Sequence, residues 1–171
     1  MHSLCANFLV LCSLMNFDFT YETQDEFIEG IRNCTLQANE IVDPPQRIPV
    51  NLSIAQAILE SGYGTSRFAI EGKNYYGIRE TDETEPHVKS LDPNAHNKML
   101  RRYDEGGGST FDYIELLNID DRYKEFQDLL FKQWITDEYD LHALADALAK
   151  PYAKDVLYAE KLHNMLDKLN D

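Results

Sequence analysis

Basic residues are scarce in this chain. Sixteen lysines and arginines stand against 30 acidic side chains, a formal net charge of -14. A nucleic-acid binder carries the opposite balance, so nucleic acid is not an expected partner. A polyanionic substrate would have to be gripped locally, because the bulk field does not attract it. Cysteine is sparse as well. Cys5, Cys12 and Cys34 form no CxxC pair, which leaves a zinc site unsupported, and their odd number leaves at least one thiol outside any intramolecular disulfide. The five histidines, His2, His87, His96, His142 and His163, show no metal-ligand spacing. No metal and no organic cofactor is therefore expected. No segment is long and apolar enough to span a bilayer. LCANFLVLCSLM, Leu4 to Met15, is apolar enough for the core of an export signal but lacks a basic start and a small-x-small cleavage site. It reads either as such a signal or as a helix packed on the domain.

What is present fits one folded unit. The chain has 171 residues without an obvious repeat, and 43% of them are hydrophobic, too many for a disordered chain of this charge. Residues 1–22 are set apart as the N-terminal apolar segment, and 23–171 as the catalytic-size domain. Thr23 and Glu26 have capping-box spacing, and Phe27, Ile28, Ile31, Cys34, Thr35, Ala38 and Ile41 then recur at helical spacing. DPPQRIP, Asp43 to Pro49, is a rigid connection to an apolar helix over Ser53–Ser61. YYGIRE and KMLRRYD look like two short strands, with turn signals between them and GGG, Gly106 to Gly108, after them. Helices resume beyond. Ser109 and Asp112 suggest a cap, Phe126 to Trp134 and Leu141 to Leu148 mark two helices, and Asp155 caps a last one that carries Val156, Leu162, Met165 and Leu169. The expected architecture is α+β, mainly α, with a small β-hairpin lobe.

One residue is out of place in this scheme. Ile54, Ala55, Ala57, Ile58 and Leu59 read as a buried helix whose last turn holds Glu60 before Gly62 and Gly64 stop it. A helix C-terminus is the negative end of the macrodipole, where a cation is favoured. The dipole and the apolar surroundings both favour the neutral acid and raise its pKa. A carboxylic acid kept protonated near neutrality can donate a proton to a glycosidic oxygen. The glycines would let a bulky polymer approach. The bland alternative is an exposed glutamate that happens to end a helix.

IAQAILESGYGTSRFA followed by GKNYYGIR closely resembles the glucosaminidase domain of bacterial peptidoglycan hydrolases, glycoside hydrolase family 73. The resemblance rests on Ala55, Gln56 and Ala57, then Glu60, Ser61, Gly62, Tyr63 and Gly64, then Asn74, Tyr75, Tyr76, Gly77 and Ile78. RRYDEGGGSTFDYIELLNIDDRYKEF and the C-terminal PYAKDVLYAEKL are similar to later family segments, so the likeness runs from about Phe27 to Leu169. The NAHNKMLRRYDEGGG region looks nearer the Bax-like branch than the flagellar type. The resemblance implies a lysozyme-like fold and cleavage of peptidoglycan glycan strands after N-acetylglucosamine, by an endo-β-N-acetylglucosaminidase. It implies a monomer that works in the periplasm, in the cell envelope, after secretion or on a phage particle.

By residue-by-residue carry-over, the resemblance makes Glu60 the catalytic acid. Tyr152 matches the first tyrosine of the C-terminal motif, which lines the family's cleft. Tyr75 and Tyr76 match the aromatic pair near the sugar, with core packing as the alternative. Asn74 would bind an acetamido group or cap a turn. A second acid is often proposed on the family's β-lobe. Glu80, Asp82, Glu83 and Glu85 crowd that lobe here, and Glu83 and Glu85 are the candidates, against the reading of a solvated acidic loop. A lytic transglycosylase or muramidase would use the same kind of cleft. A non-catalytic wall-binding module would retain Glu60 for structure alone.

Overall fold

A computed structural model describes residues 18–92 and 98–170. The Leu4–Met15 segment, with Cys5 and Cys12, and also His2 and His96, lie outside the described residues. The chain forms α1 (Gln24–Ile41), a 3-10 turn (Pro44–Gln46), α2 (Val50–Ser61) and α3 (Arg67–Gly72). Three short strands follow, β1 (Arg79–Glu80), β2 (His87–Lys89) and β3 (Met99–Arg101). Then come α4 (Gly108–Ile119), a second 3-10 turn (Asp121–Tyr123), α5 (Lys124–Thr136), α6 (Leu141–Tyr152) and α7 (Tyr158–Asn170). The fold is mainly α, α+β in class and lysozyme-like.

The centre is α2. Leu52, Ile54, Ala55, Ala57 and Ile58 are all buried, and so are the polar Ser53 and Gln56 on its other sides. A helix buried on several sides belongs inside a core, and its polar groups there must find hydrogen-bond partners. Helix α2 packs between α1 and α7, while α4 covers α1 and the α6–α7 pair closes the far side. The capping box opens α1 as expected: the Glu26 N–H donates to Thr23 Oγ1, and the Thr23 N–H donates back to Glu26 Oε2. Asn39 fixes the connection into α2, since its Nδ2 donates to the Ile48 carbonyl at 2.8 Å and its Oδ1 accepts the Ile48 N–H at 2.9 Å. That bracing lets α2 begin right after Pro49, three residues earlier than periodicity predicts.

Three local expectations are corrected. The lobe is a three-stranded antiparallel sheet in the order β1-β3-β2, with Arg79 opposite Leu100 and Val88 opposite Leu100 on the other side. The extra strand, β2, has one buried residue, Val88, between polar neighbours, too short a pattern to stand out. Ser109 does not cap α4. It lies buried inside the helix and its Oγ accepts the Tyr75 N–H at 3.2 Å, while Asp112 binds Arg101 and Tyr103. Val156 stays 93% exposed ahead of α7, in the loop that Asp155 holds by accepting the Leu157 N–H.

Residues 18–21 dock on this frame. Phe19 fills a space that a side chain at Gly30 or Gly106 would occupy, and Tyr21 packs edge-on against Phe27 and Tyr75. Among the described residues, no helix is long and apolar enough to cross a membrane.

Candidate active site

Glu60 sits in the last full turn of α2, and the chain leaves the helix through three successive left-handed residues, Gly62 (φ 60°), Tyr63 (φ 57°) and Gly64 (φ 75°). Ser61 ties this turn together. Its Oγ donates to the Ala57 carbonyl at 2.6 Å and accepts the Gly64 N–H at 2.8 Å. The backbone therefore turns sharply away beneath Glu60 and leaves its carboxyl half-buried at the wall of a cavity of about 340 Å³.

A directed hydrogen-bond chain holds that carboxyl. The Tyr113 hydroxyl donates to Gln56 Oε1, Gln56 Nε2 donates to the Tyr158 oxygen at 3.1 Å, and the Tyr158 hydroxyl donates to Glu60 Oε1 at 2.7 Å. Gln56 is fully buried, so its amide has no other use. Because Gln56 fills the acceptor side of Tyr158, the phenol proton is left pointing at Glu60. Burial pushes the Glu60 carboxyl above the ordinary carboxylate range, and the Tyr158 hydrogen bond and the Lys98 charge oppose that rise without cancelling it. The free oxygen, Oε2, faces Gly77, where a Cβ would stand 3.4 Å away. Gly77 has φ 68°, which disfavours a side chain there and keeps the approach to the acid open.

The neighbouring residues fall into two groups. Tyr152 lines the cavity. Its hydroxyl donates to the Tyr76 carbonyl at 2.5 Å, and its ring stacks on Tyr158 at 5.8 Å, so it ties α6 to the turn beside Glu60. Tyr75 and Tyr76 are both core residues, 2% and 1% exposed; Tyr76 stacks on Tyr113, and Tyr75 meets Phe27 and Phe19. Tyr76 nevertheless lines the Glu60 cavity, where its carbonyl accepts the Tyr152 hydroxyl. Asn74 is buried too, and its amide is spent on the backbone: Nδ2 donates to the Ile78 and Arg101 carbonyls, and Oδ1 accepts the Ile78 N–H. It acts as the turn cap of its two readings. Glu83 and Glu85 are exposed in the β1–β2 turn and are not among the residues that line the Glu60 cavity. Glu80 is buried, with Arg101 at 3.0 Å and two backbone N–H groups on its other oxygen, which makes it a brace of the lobe.

Among the described residues, no three metal-binding side chains converge. His142 and His163 stack on each other and pair with Asp167 and Asp146 across α6 and α7. The residue that sequence reasoning missed is Tyr158. It is the second tyrosine of the PYAKDVLYAEKL stretch, and it reaches Glu60 across 98 positions of chain.

A family model named Glucosaminidase, described as mannosyl-glycoprotein endo-beta-N-acetylglucosaminidase, matches residues 43–171. The chain belongs to the glucosaminidase family. This glucosaminidase is similar to the catalytic domain of the autolysin Auto from Listeria monocytogenes, at 20% identity and TM-score 0.64, over 99% of this chain and 96% of that one. At that identity the likeness speaks for the fold alone. It is also similar to a peptidoglycan hydrolase from Sphingomonas sp. A1, at 25% identity and TM-score 0.65, over 85% of this chain and 88% of that one. The glycoside hydrolase domain of FlgJ from Salmonella typhimurium matches at 25% identity and TM-score 0.63, over 87% of this chain and 89% of that one. No curated protein matches the chain. The chain is a glycoside hydrolase.

Replacing Tyr158 by Phe in the glucosaminidase should separate position from pKa. The lost hydrogen bond favours the carboxylate, so without it the Glu60 pKa rises further and the alkaline limb of the activity profile moves to higher pH. The carboxyl also loses its orientation, and kcat should fall about 10-fold or more, in line with the 10²–10⁴-fold worth of a positioned acid. A pH–rate profile checks both effects. An alkaline limb that stays in place or moves down would show that Tyr158 does not tune Glu60.

Proposed function

We infer that the protein hydrolyses peptidoglycan, cutting its glycan strands after N-acetylglucosamine with Glu60 as the general acid. The observation that carries this reading is a single carboxyl group whose pKa burial raises and which Tyr158 holds at the wall of a cavity, in a chain of the glucosaminidase family. The protonated Glu60 gives its proton to the glycosidic oxygen as the C1–O bond breaks. Water then adds at C1, and the Glu60 carboxylate takes up the proton that water releases. The substrate lies outside the cytoplasm, so the protein works there, as a monomer. The relative from Sphingomonas, a peptidoglycan hydrolase, supports the choice of a wall glycan.

The positive charge at C1 needs an electron pair from the opposite side. Glu60 is the one carboxylate among the described residues that line the cavity. That supports the substrate's own 2-acetamido oxygen as the group that closes on C1, with water reopening the ring. On this reading Glu83 and Glu85 do not act on the sugar. The double variant Glu83→Gln/Glu85→Gln should keep lytic activity within about 10-fold of wild type, whereas loss of a true base costs roughly 10²–10⁴-fold. A loss of that larger size would restore one of them as the second acid.

Digestion of purified walls followed by mass spectrometry tests the function itself. New reducing ends should be N-acetylglucosamine. Reducing N-acetylmuramic acid would mean a muramidase, and anhydro ends a transglycosylase. Binding without any new ends would leave only a wall-binding module.

A further inference from the structure

The Glu60 cavity is not closed. It shares Arg79, Arg122, Pro151 and Tyr152 with a larger groove of about 1070 Å³ that runs along the end of α6 and the loop before α7. Together the two are lined by five cations, Arg79, Lys98, Arg122, Lys150 and Lys154. The acids lining them are Glu60, Asp146 and Asp155. Two of those three are already engaged, Asp146 by His163 and Asp155 by Lys161. Among the described residues, Arg79, Lys98, Lys150 and Lys154 form no ion pair, and only Arg122 is matched, by Asp120. In a chain with 30 acids against 16 bases, such a concentration of unmatched cations in one cleft is a local reversal of the field. A cleft with low-dielectric walls focuses that field on whatever enters it. Against the net charge of -14, the cleft is a face on which an anionic polymer can settle.

We propose that this cleft binds the anionic substituents of the wall strand through Arg79, Lys98, Arg122, Lys150 and Lys154, and so selects charged wall material over bare glycan. The proposal rests on the peptidoglycan-hydrolase reading. The shared chemistry is an anionic oxygen group, found in wall material as carboxylates of the peptide stems and as phosphodiesters of attached polymers. The cations are solvent-exposed, so their contribution lies in capture and in salt dependence more than in the chemical step.

The test measures binding of the full chain to insoluble walls by co-sedimentation, with cleavage recorded in parallel. Three wall preparations are used: untreated, with carboxylates converted to amides, and stripped of phosphodiester-linked polymers by hydrofluoric acid. Affinity for untreated walls should fall steeply towards about 1 M salt, where the Debye length is about 3 Å. Lys150→Gln/Lys154→Gln, two exposed changes away from the core, should weaken binding roughly threefold to tenfold. Loss of binding on amidation assigns the ligand to the carboxylates, and loss on acid stripping assigns it to the phosphodiesters. Equal binding to all three preparations, unchanged by salt, overturns the proposal. Charge-dependent binding without cleavage would leave it standing and defeat the hydrolase reading. Cleavage with no charge dependence would do the reverse.

Discussion

Replacing Glu60 by Gln should abolish wall lysis while leaving the fold intact. Gln is nearly isosteric and still accepts the Tyr158 hydrogen bond through its carbonyl oxygen, but it has no proton to give to a leaving oxygen. General acid catalysis contributes about 10²–10⁴-fold, so turbidity loss on purified walls should slow at least a hundredfold or so. Stability should move the other way. A carboxyl whose pKa is raised by folding stabilises the protein fully below its unfolded pKa, and that contribution is lost as pH rises through the folded value. Above that window the wild type holds a charge that is buried and placed at the negative end of α2, an unfavourable contact on the order of 0.3–1 kcal/mol from the dipole alone. The Gln variant lacks the charge. Its melting temperature should gain on the wild type as pH rises from the ordinary carboxylate range through the raised Glu60 value, and hold that gain above it. Near-normal lysis by the variant would remove Glu60 from the mechanism.

The largest loss of stability outside the core should come from Gly64→Ala. Gly64 has φ 75°, where an L side chain costs roughly 1–2 kcal/mol. Its new Cβ would also stand 2.3 Å from the Tyr21 hydroxyl and 2.5 Å from Cζ. Tyr21 cannot swing aside cheaply. Its hydroxyl donates to the Gly64 carbonyl at 2.8 Å and its ring lies edge-on against Phe27 at 5.1 Å. Overpacking of this kind adds about 1–3 kcal/mol, so the total is roughly 2–5 kcal/mol. At about 2–4 °C per kcal/mol for a chain of this size, the melting temperature should drop by roughly 4–20 °C. Gly62→Ala is the control. It has φ 60° as well, but its Cβ would meet only Thr65 Oγ1, at 3.3 Å, so the strain of roughly 1–2 kcal/mol stands alone. If the two variants melt together, Tyr21 does not lock the turn under Glu60.

Glu60 stands out in the sequence because it breaks a local rule, while its role as the acid comes from the family resemblance. An acid at the end of an apolar helix is visible in a dozen letters, but the burial that raises its pKa comes from the packed fold around that helix end. Its partner could not be found that way. Tyr158 reaches Glu60 only because α7 packs against α2, and nothing in the spacing of a single helix reports that contact. Asn74 and the Tyr75–Tyr76 pair show the opposite case. Their letters fit a binding site or a core, and the fold buries all three. Strand β2 escaped notice because three residues with one buried side chain carry no period, and its pairing comes from β3. Ser109 looked like a cap because serine is favoured there, yet the helix starts one residue earlier and the hydroxyl turns to Tyr75. The cations of the cleft were hidden by arithmetic. A net charge of -14 sums the whole chain, whereas Arg79, Arg122 and Lys150 come from three separate elements that only the fold brings together.

The central claim is that the fold keeps Glu60 protonated so that it can act as the acid. Labelling the glutamate carboxyl carbons with ¹³C and following the Glu60 signal by NMR measures its pKa directly, with Glu60→Gln identifying the resonance. The account predicts a Glu60 midpoint above the ordinary carboxylate range, coinciding with the alkaline limb of kcat/KM on walls and moving up with it in Tyr158→Phe. A Glu60 that titrates in the ordinary carboxylate range, while the enzyme stays fully active well above that pH, would contradict it.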